Sequence, residues 1–482
     1  MITIVGLGPG DVDDLSRRAW RVLKQAPKVY LRTAHHGCVP CLPQESTVYH
    51  PFDHLYESLD EFEAVYQTIA DTILQAAHDA GDVVYAVPGD PLVGEATTTR
   101  ILSQAREAGI AVQIINGISF IEPMLAAVGV DALDGLQIYD GLEVAAMHHP
   151  PINPDFPALV GQVYNRRVAS NVKLTLMNQY PDDYEVMLIH SAGTNAEQVE
   201  TVPLYQIDRS EAISYTTSLF VPAMPGMNSF ERFQEIISHL RDPENGCPWD
   251  LKQTHESLRQ YLLEEAYETL EAIDAGNTDE LYRELGDLML QIVLHTQIAI
   301  DDGEFRMTDV LSHINEKMIR RHPHVFATID VEDADEVVTN WEAIKAQEKA
   351  SSPPESRLDS VPKALPALLR AFNYQERAAR AGFDWPQIDG VRDKIIEELD
   401  EVLSAPDDAA RQEEIGDLLF VLVNWARWLK VDPENALRLA SDKFYRRFAF
   451  VEAKVRASGQ PMNDFSLAQL DSFWDEAKAQ GL

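Results

Sequence analysis

The chain reads as a multidomain protein, with an N-terminal α/β domain followed by two all-α helical repeats. Three observations predict this. Short apolar runs alternate with helical stretches over residues 1 to about 222. From Ser229 onward the texture changes to long amphipathic segments rich in Glu, Leu, Arg and Ala. Five short motifs in that second half then recur in the same order.

In the first segment, Ile2–Val5 reads as a strand, followed by a glycine turn and a helix over Leu15–Gln25. Val83–Val87 is a second strand, then a turn and a helix from Thr97 to Ala108, and Ile110–Ile115 is a third strand. Strands separated by helices predict parallel pairing. The run Val221–Met227 (VPAMPGM) cannot continue a helix or a central strand and is placed as a linker. A second break, SSPPESRLDSVP at 351–362, is polar and proline-rich. The predicted domains are therefore 1–222, 228–350 and 362–482.

The last two look like copies. Gly246-x-x-Trp249 recurs as Gly382-x-x-Trp385, and Glu264-Glu265-x-x-Glu268 as Glu397-Glu398-x-x-Glu401. Glu284-Leu-Gly-Asp287 recurs as Glu414-Ile-Gly-Asp417, and Lys317-x-x-Arg320-Arg321 as Lys443-x-x-Arg446-Arg447. Trp341-Glu-x-x-Lys345 recurs as Trp474-Asp-x-x-Lys478. Offsets that differ by only a few residues point to duplication of a whole helical unit.

Composition limits the function. Of 482 residues, 78 are acidic and 40 basic, a formal charge of -38. Such a surface repels nucleic acid and the anionic face of a membrane, so neither is expected as a partner. A triphosphate can still bind if a cation bridges the charges. Cys38, Cys41 and Cys247 cannot build a disulfide framework, and the Cys38-x-x-Cys41 pair lacks the second pair of a tetrahedral metal site, so it reads as two ordinary thiols. The N-terminus enters a strand-like run directly, with no signal-type segment, and a cytoplasmic protein is expected.

Residues three or four apart share one helix face. Glu265 with Glu268, and Glu284 with Asp287, each put two carboxylates together, and the intervening AIDAGNTDE permits a helical hairpin. Folding it back would bring four carboxylates together, and their mutual repulsion calls for a hard divalent cation such as Mg²⁺. Glu264 is an extra ligand or orients a water. Glu398, Glu401, Glu414, Asp417 and Glu397 repeat the arrangement. A solvated acidic face is the ordinary fate of such helices. Duplication, and neighbouring apolar residues (Leu262, Leu263, Leu285, Leu288, Leu290; Leu399, Leu418, Leu419) that predict partial burial, favour the metal. Lys317, Arg320 and Arg321, matched by Lys443, Arg446 and Arg447, suit phosphate oxygens as well as local charge balance. Trp341 and Trp474 suit stacking on a base or packing in a core.

The pattern EExxE…ELGD, with GCPWD at 246–250, QTHESL, RRHPHVF at 320–326 and VNWAR…KFYRRF, resembles the MazG-type nucleoside triphosphate pyrophosphohydrolases over residues 228–482. That resemblance implies an all-α fold, Mg²⁺, cleavage between the α and β phosphates, and a dimer or higher homo-oligomer with sites shared between protomers. It assigns Glu398, Glu401, Glu414 and Asp417 as metal ligands, and Lys443 through Arg447 with Trp474 as nucleotide contacts. Glu265, Glu268, Glu284 and Asp287 are the first copy's counterparts, with Lys317, Arg320, Arg321 and Trp341 beside them. Asn424, counted with the nucleotide contacts, stands where Leu294 stands in the first copy, which favours the second as the active one. Glu397 (and Glu264) is expected to position or deprotonate the attacking water.

In the N-terminal domain, Gly6-Leu-Gly8-Pro-Gly10-Asp11 follows a strand but does not match GxGxxG. Pro88-Gly89-Asp90-Pro91 is a second glycine turn. An aspartate on each loop disfavours a phosphate and suits a ligand carrying positive charge and hydroxyls, such as S-adenosylmethionine. GLGPGD, VPGDPLVGEAT and INGIS with Ser119 together resemble the tetrapyrrole methylases over residues 1–222. That implies a two-part α/β fold with S-adenosylmethionine between its lobes, and no methyl acceptor is indicated. His148 and His149, flanked by prolines, read as an exposed loop. The leading function is Mg²⁺-dependent triphosphate hydrolysis that cleans nucleotide pools. Its rivals are a methyltransferase whose helical half dimerises or senses nucleotide, and a non-catalytic binding protein.

Overall fold

The structure is a computed structural model. It describes residues 1–44, 47–59, 61–327 and 356–482, together with 331, 333, 336–337, 340–341, 344 and 348. Lys345 and residues 351–355 of the second break lie outside the described residues. The chain divides into two compact units, Met1–Met307 and Thr308–Leu482.

The first unit begins with a five-stranded sheet in the order β3-β2-β4-β1-β5. Its strands are β1 (Ile2–Gly6), β2 (Lys28–Leu31), β3 (Val48–Pro51), β4 (Val83–Val87) and β5 (Val112–Ile115), and every pairing is parallel. β1 is buried along its whole length, as a central parallel strand covered on both faces must be. The three expected strands fall at β1, β4 and β5. The two expected helices are Arg17–Gln25 and Ala96–Glu107. Ser16 starts the first by accepting the Ala19 N–H at 3.1 Å.

A second sheet, which the strand pattern left unassigned, has the order β6-β7-β10-β8-β9. Its strands are β6 (Gln137–Asp140), β7 (Ala158–Gly161), β8 (Glu185–His190), β9 (Gln198–Pro203) and β10 (Thr217–Val221). Here parallel pairing holds only for β6 with β7, and the other three pairings are antiparallel. The reason is connection length. β8 and β9 are joined by a seven-residue turn with no crossover helix, and such a link can only reverse the chain. Val160, Leu188 and Leu219 fill this lobe's core, and Ile2, Ile4, Ile69 and Tyr85 fill that of the first.

The expected linker at 221–227 begins where β10 ends, but it is tied down. The Asp155 carboxylate accepts from the Asn228 N–H at 2.7 Å and from the Ser229 hydroxyl at 2.6 Å. Ser229 in turn caps the helix Phe230–Leu240. The first copy's hairpin, Arg259–Ala275 with Thr278–Asp301, completes the unit. Gly276 ends the first of these helices in a left-handed conformation and Asn277 caps the next through the Glu280 N–H, so the AIDAGNTDE turn forms as read.

The second unit holds the helix Met307–Arg321 from Thr308 onward, and Ala367–Arg380. The second copy's hairpin follows as Ile388–Ser404 and Asp408–Trp428, and then Pro433–Ser458 and Leu467–Ala479. The first copy's carboxylates and its basic residues therefore belong to different units, whereas the second copy's all lie in one. Among the described residues no helix is long and apolar enough to cross a membrane.

Candidate metal and nucleotide site

Each hairpin presents a carboxylate cluster. In the first, ligand oxygens of Glu265, Glu268 and Glu284 all lie within 4.8 Å of one another, and in the second those of Glu398, Glu401 and Glu414 do the same. Two of the three come from one helix at a spacing of three, and the third crosses from the antiparallel partner. Asp287 and Asp417 stand outside these threesomes. They are near enough to act through space, Asp287 on Glu265 and Glu284 and Asp417 on Glu414.

Crowding shows in the titration of three of these groups, Glu265, Glu284 and Glu414. Burial, then the charges of Asp287, Glu268 and Glu264, push the Glu265 carboxyl above its ordinary range. Burial followed by Glu268 raises Glu284, and burial followed by Glu401 and Glu398 raises Glu414. Glu398 is only 4% exposed, yet among the described residues its Oε2 finds no hydrogen-bond donor, and the buried Glu284 Oε2 has none either. A buried carboxylate oxygen without a partner carries a full desolvation cost. A divalent cation with oxygen preference fits that deficit, so these residues suit Mg²⁺.

Glu264 and Glu397 sit on the exposed edge of their helices. Glu397 makes an ion pair with Lys394 at 2.7 Å, and Lys394 also reaches Glu398 Oε1 at 2.7 Å. Lys394 escaped the sequence reading because the copies were compared for what they share. The signal was a difference, since Tyr261 occupies the matching position in the first copy, packed edge-on against Trp249 at 5.9 Å.

The basic residues behave differently in the two copies. Arg320 and Arg321 both bind the Glu348 carboxylate, at 2.7 and 2.5 Å, and Arg321 lies 5.5 Å over the Trp341 ring. Those two bonds hold the Glu348 carboxyl down at about 2. Glu348, too, was not singled out from the sequence, because the second copy has Gly481 at that offset. Arg447 lies 5.7 Å over Trp474 and donates to the Leu482 carbonyl at 2.6 Å. Lys443 and Arg446 are exposed and form no ion pair among the described residues, whereas Lys317 is half-buried. Each tryptophan thus faces the arginine of its own copy.

Asn424 is 4% exposed and its Oδ1 accepts from Arg427 Nε at 2.9 Å, while Arg427 also pairs with Asp384 at 2.6 Å. Its carbonyl is engaged in holding the helix to the Gly382–Trp385 turn. Leu262, Leu263, Leu285, Leu399 and Leu419, expected to be partly buried, are 37 to 58% exposed within this chain. Each hairpin is two helices deep, too thin to bury both faces of either helix.

In the N-terminal domain the loops Gly6–Asp11, Pro88–Pro91 and Asn116–Ser119 leave the carboxyl ends of three adjacent strands, β4, β1 and β5. This is the end where ligands bind in open α/β sheets. Gly8 and Gly89 exchange backbone hydrogen bonds at 3.2 and 2.8 Å, and a Cβ on Gly6 or Gly117 would sit 2.6 or 2.4 Å from the Gly89 carbonyl oxygen. Only glycine permits that approach. Asp90 is 7% exposed and its oxygens accept from Leu92 N–H, Gly117 N–H and Asn116 Nδ2. Asp90 is therefore a clamp between loops, and its charge does not argue for a cationic ligand. Ser119 donates to Glu122 at 2.5 Å and accepts from the Ile121 N–H. Asp11 caps the short turn Val12–Asp14, and Gly10 adopts φ 154°. His148 and His149 are exposed, as read. Cys38 is buried and its thiol is pushed up to about 11 by that burial, so it stays protonated as an ordinary thiol, while Cys41 is exposed.

Comparison with known proteins separates the α/β domain from the helical part. Residues 1–208 match the tetrapyrrole (corrin/porphyrin) methylases and residues 253–326 match the MazG nucleotide pyrophosphohydrolase domain. The uncharacterized protein YabN of Bacillus subtilis is 43% identical over 99% of this chain and 98% of its own length. The nucleoside triphosphate pyrophosphohydrolase of Escherichia coli K12 is 45% identical over 53% of this chain and 98% of its own. The nucleoside triphosphate pyrophosphohydrolase/pyrophosphatase MazG of Thermotoga maritima is 47% identical over 52% and 95%. The fold and the carboxylate hairpins are thus those of a two-part enzyme, an α/β methylase-type domain ahead of a helical hydrolase-type half. The chain belongs to the MazG nucleotide pyrophosphohydrolase family.

Proposed function

We propose that the chain hydrolyses nucleoside triphosphates to nucleoside monophosphate and pyrophosphate, chiefly at its second helical copy. The observation that carries this is the buried, unpartnered Glu398 Oε2 within the Glu398–Glu401–Glu414 cluster, in the same unit as the exposed cations Lys443 and Arg446. Glu398, Glu401 and Glu414 would hold the Mg²⁺, with Asp417 beside them. A magnesium ion bound there supplies neutralisation of phosphate charge. Lys443 and Arg446 bind phosphate oxygens, and Trp474 offers a face for the base. Glu397 takes the proton of the water that attacks in line, one P–O bond forms, another breaks, and pyrophosphate leaves. The relatives named as nucleoside triphosphate pyrophosphohydrolases support this chemistry. Clearance of unwanted triphosphates in the cytoplasm is the role it suits.

The test is incubation of the full chain with a panel of triphosphates and Mg²⁺, with products identified. Monophosphate and pyrophosphate in equal amounts are expected, abolished by a chelator. Diphosphate and orthophosphate, or no turnover of any triphosphate, would defeat the reading.

Two further parts of the proposal rest on other features. The exposed leucines of both hairpins are covered by a second copy of the chain, and light scattering should return twice the 54.1 kDa monomer mass. The glycine loops at the carboxyl ends of β4, β1 and β5 hold S-adenosylmethionine, supported by the match to the methylases. Equilibrium dialysis should detect that binding, and a Gly89→Val substitution, at φ 62°, should abolish it. A monomer, or no uptake of the methyl donor, would refute the respective point.

A further inference from the structure

The two carboxylate clusters share a geometry but differ in charge. Lys394 places its ammonium 2.7 Å from Glu398 Oε1 and 2.7 Å from Glu397, and Lys394 is one-third exposed. Taken alone, a lysine three and four residues from two glutamates is an ordinary helix-surface pair that contributes little. Two observations set this one apart. Its partner Glu398 is buried and is itself one of the three clustered carboxylates, its other oxygen being the one without a donor. And in the first copy the matching residue is Tyr261, whose ring is turned to Trp249, so the Glu265–Glu268–Glu284 cluster has no ammonium in that place.

We propose that Lys394 is an internal counter-cation that makes the two metal sites unequal. The first copy takes a free divalent cation tightly. The second keeps one unit of positive charge of its own and takes a free cation weakly. A nucleotide's phosphates draw the Lys394 ammonium away from Glu398, so the second site gains full metal affinity only when the metal arrives with its triphosphate. Lys394 is thus a positioning residue for Glu398. This proposal rests on the reading of the clusters as divalent-cation sites.

The probe is Mn²⁺, titrated into the full chain by calorimetry, with free metal followed by electron paramagnetic resonance, in the absence and presence of a non-hydrolysable triphosphate. Two classes of site are expected without nucleotide, differing by about tenfold, the effect of one charge near a dication at close to solvent dielectric. Glu284→Gln should remove the tight class. Lys394→Met should raise the weak class to match the tight one, Lys394→Arg should keep it weak, and Tyr261→Lys should weaken the first site. The nucleotide analogue should tighten the weak class in the wild type by clearly more than it does in Lys394→Met. Equal affinities in the wild type, or a weak class unmoved by Lys394→Met in a protein whose melting is unaltered, would overturn the proposal while leaving the metal sites standing. Absence of any Mn²⁺ uptake would overturn both this proposal and the cation reading beneath it.

Discussion

Glu401→Ala is expected to lower the rate of pyrophosphate release by roughly 100-fold or more, whereas Glu268→Ala in the first copy should change it by less than about threefold. The two side chains are matched for this comparison. Each stands four residues into the EExxE motif, each is exposed, and each belongs to a threesome whose ligand atoms lie within 4.8 Å. Loss of either should therefore leave folding intact, and a difference in rate reports which cluster serves the reaction. The asymmetry follows from the cations. In the first copy Glu348 already occupies Arg320 and Arg321, with a carboxylate standing where a phosphate would bind. In the second, Lys443 and Arg446 remain uncommitted among the described residues, and no acidic residue matches Glu348. Steady-state turnover of both variants decides the matter. Equal losses would assign the reaction to both copies, and a larger loss in Glu268→Ala would reverse the assignment.

The carboxylates were legible because helical periodicity is strict. A spacing of three fixes a shared face whatever the tertiary context, and the hairpin needed only a Gly276–Asn277 turn to close it. Three strands of the parallel sheet, β1, β4 and β5, were legible for a related reason, as buried strands write apolar runs, while β2 and the largely exposed β3 were not. The second sheet was not. Gln198–Pro203 alternates polar and apolar residues as an exposed antiparallel edge strand does, whereas Glu185–His190 carries the apolar run Val186–Ile189, and its antiparallel pairing is decided by short connections rather than composition. The bonds of Asp90 were not legible, for a different cause. An aspartate in a glycine turn offers the same letters whether its carboxylate faces a ligand or the backbone of the next loop, and only the position of Gly117 shows which. Asn424 illustrates the same point, since its partner Arg427 is in turn bound to Asp384, more than forty residues away along the chain.

Glu414→Gln should reverse its effect on stability when magnesium is added. Burial and the charges of Glu401 and Glu398 raise the Glu414 carboxyl above its ordinary 4.5. The folded chain then binds more protons at this site than the unfolded chain does, so the contribution is favourable below 4.5 and is lost as pH rises through the folded value. Other groups titrate nearby. Asp208, where burial is outweighed by the bond from Lys173, lies below its ordinary 3.8 and changes stability only at lower pH. His190 is lowered from 6.5 by burial and acts in the opposite direction as pH falls below that value. Comparing variant with wild type at each pH cancels both. With a chelator present, the two melting temperatures should converge as pH falls below 4.5, where the Glu414 carboxyl takes up its proton and resembles glutamine. At pH 8 the variant should melt higher, because it lacks a charge crowded by two others. Magnesium at a hundredfold excess over its dissociation constant should then raise the wild type by roughly 5 °C and the variant by clearly less, since binding to the folded state alone shifts the melting equilibrium. The order of the two melting temperatures should therefore invert with the metal. A variant that stays above the wild type in magnesium at pH 8 would mean that the repulsion around Glu414 is relieved by something other than a divalent ion.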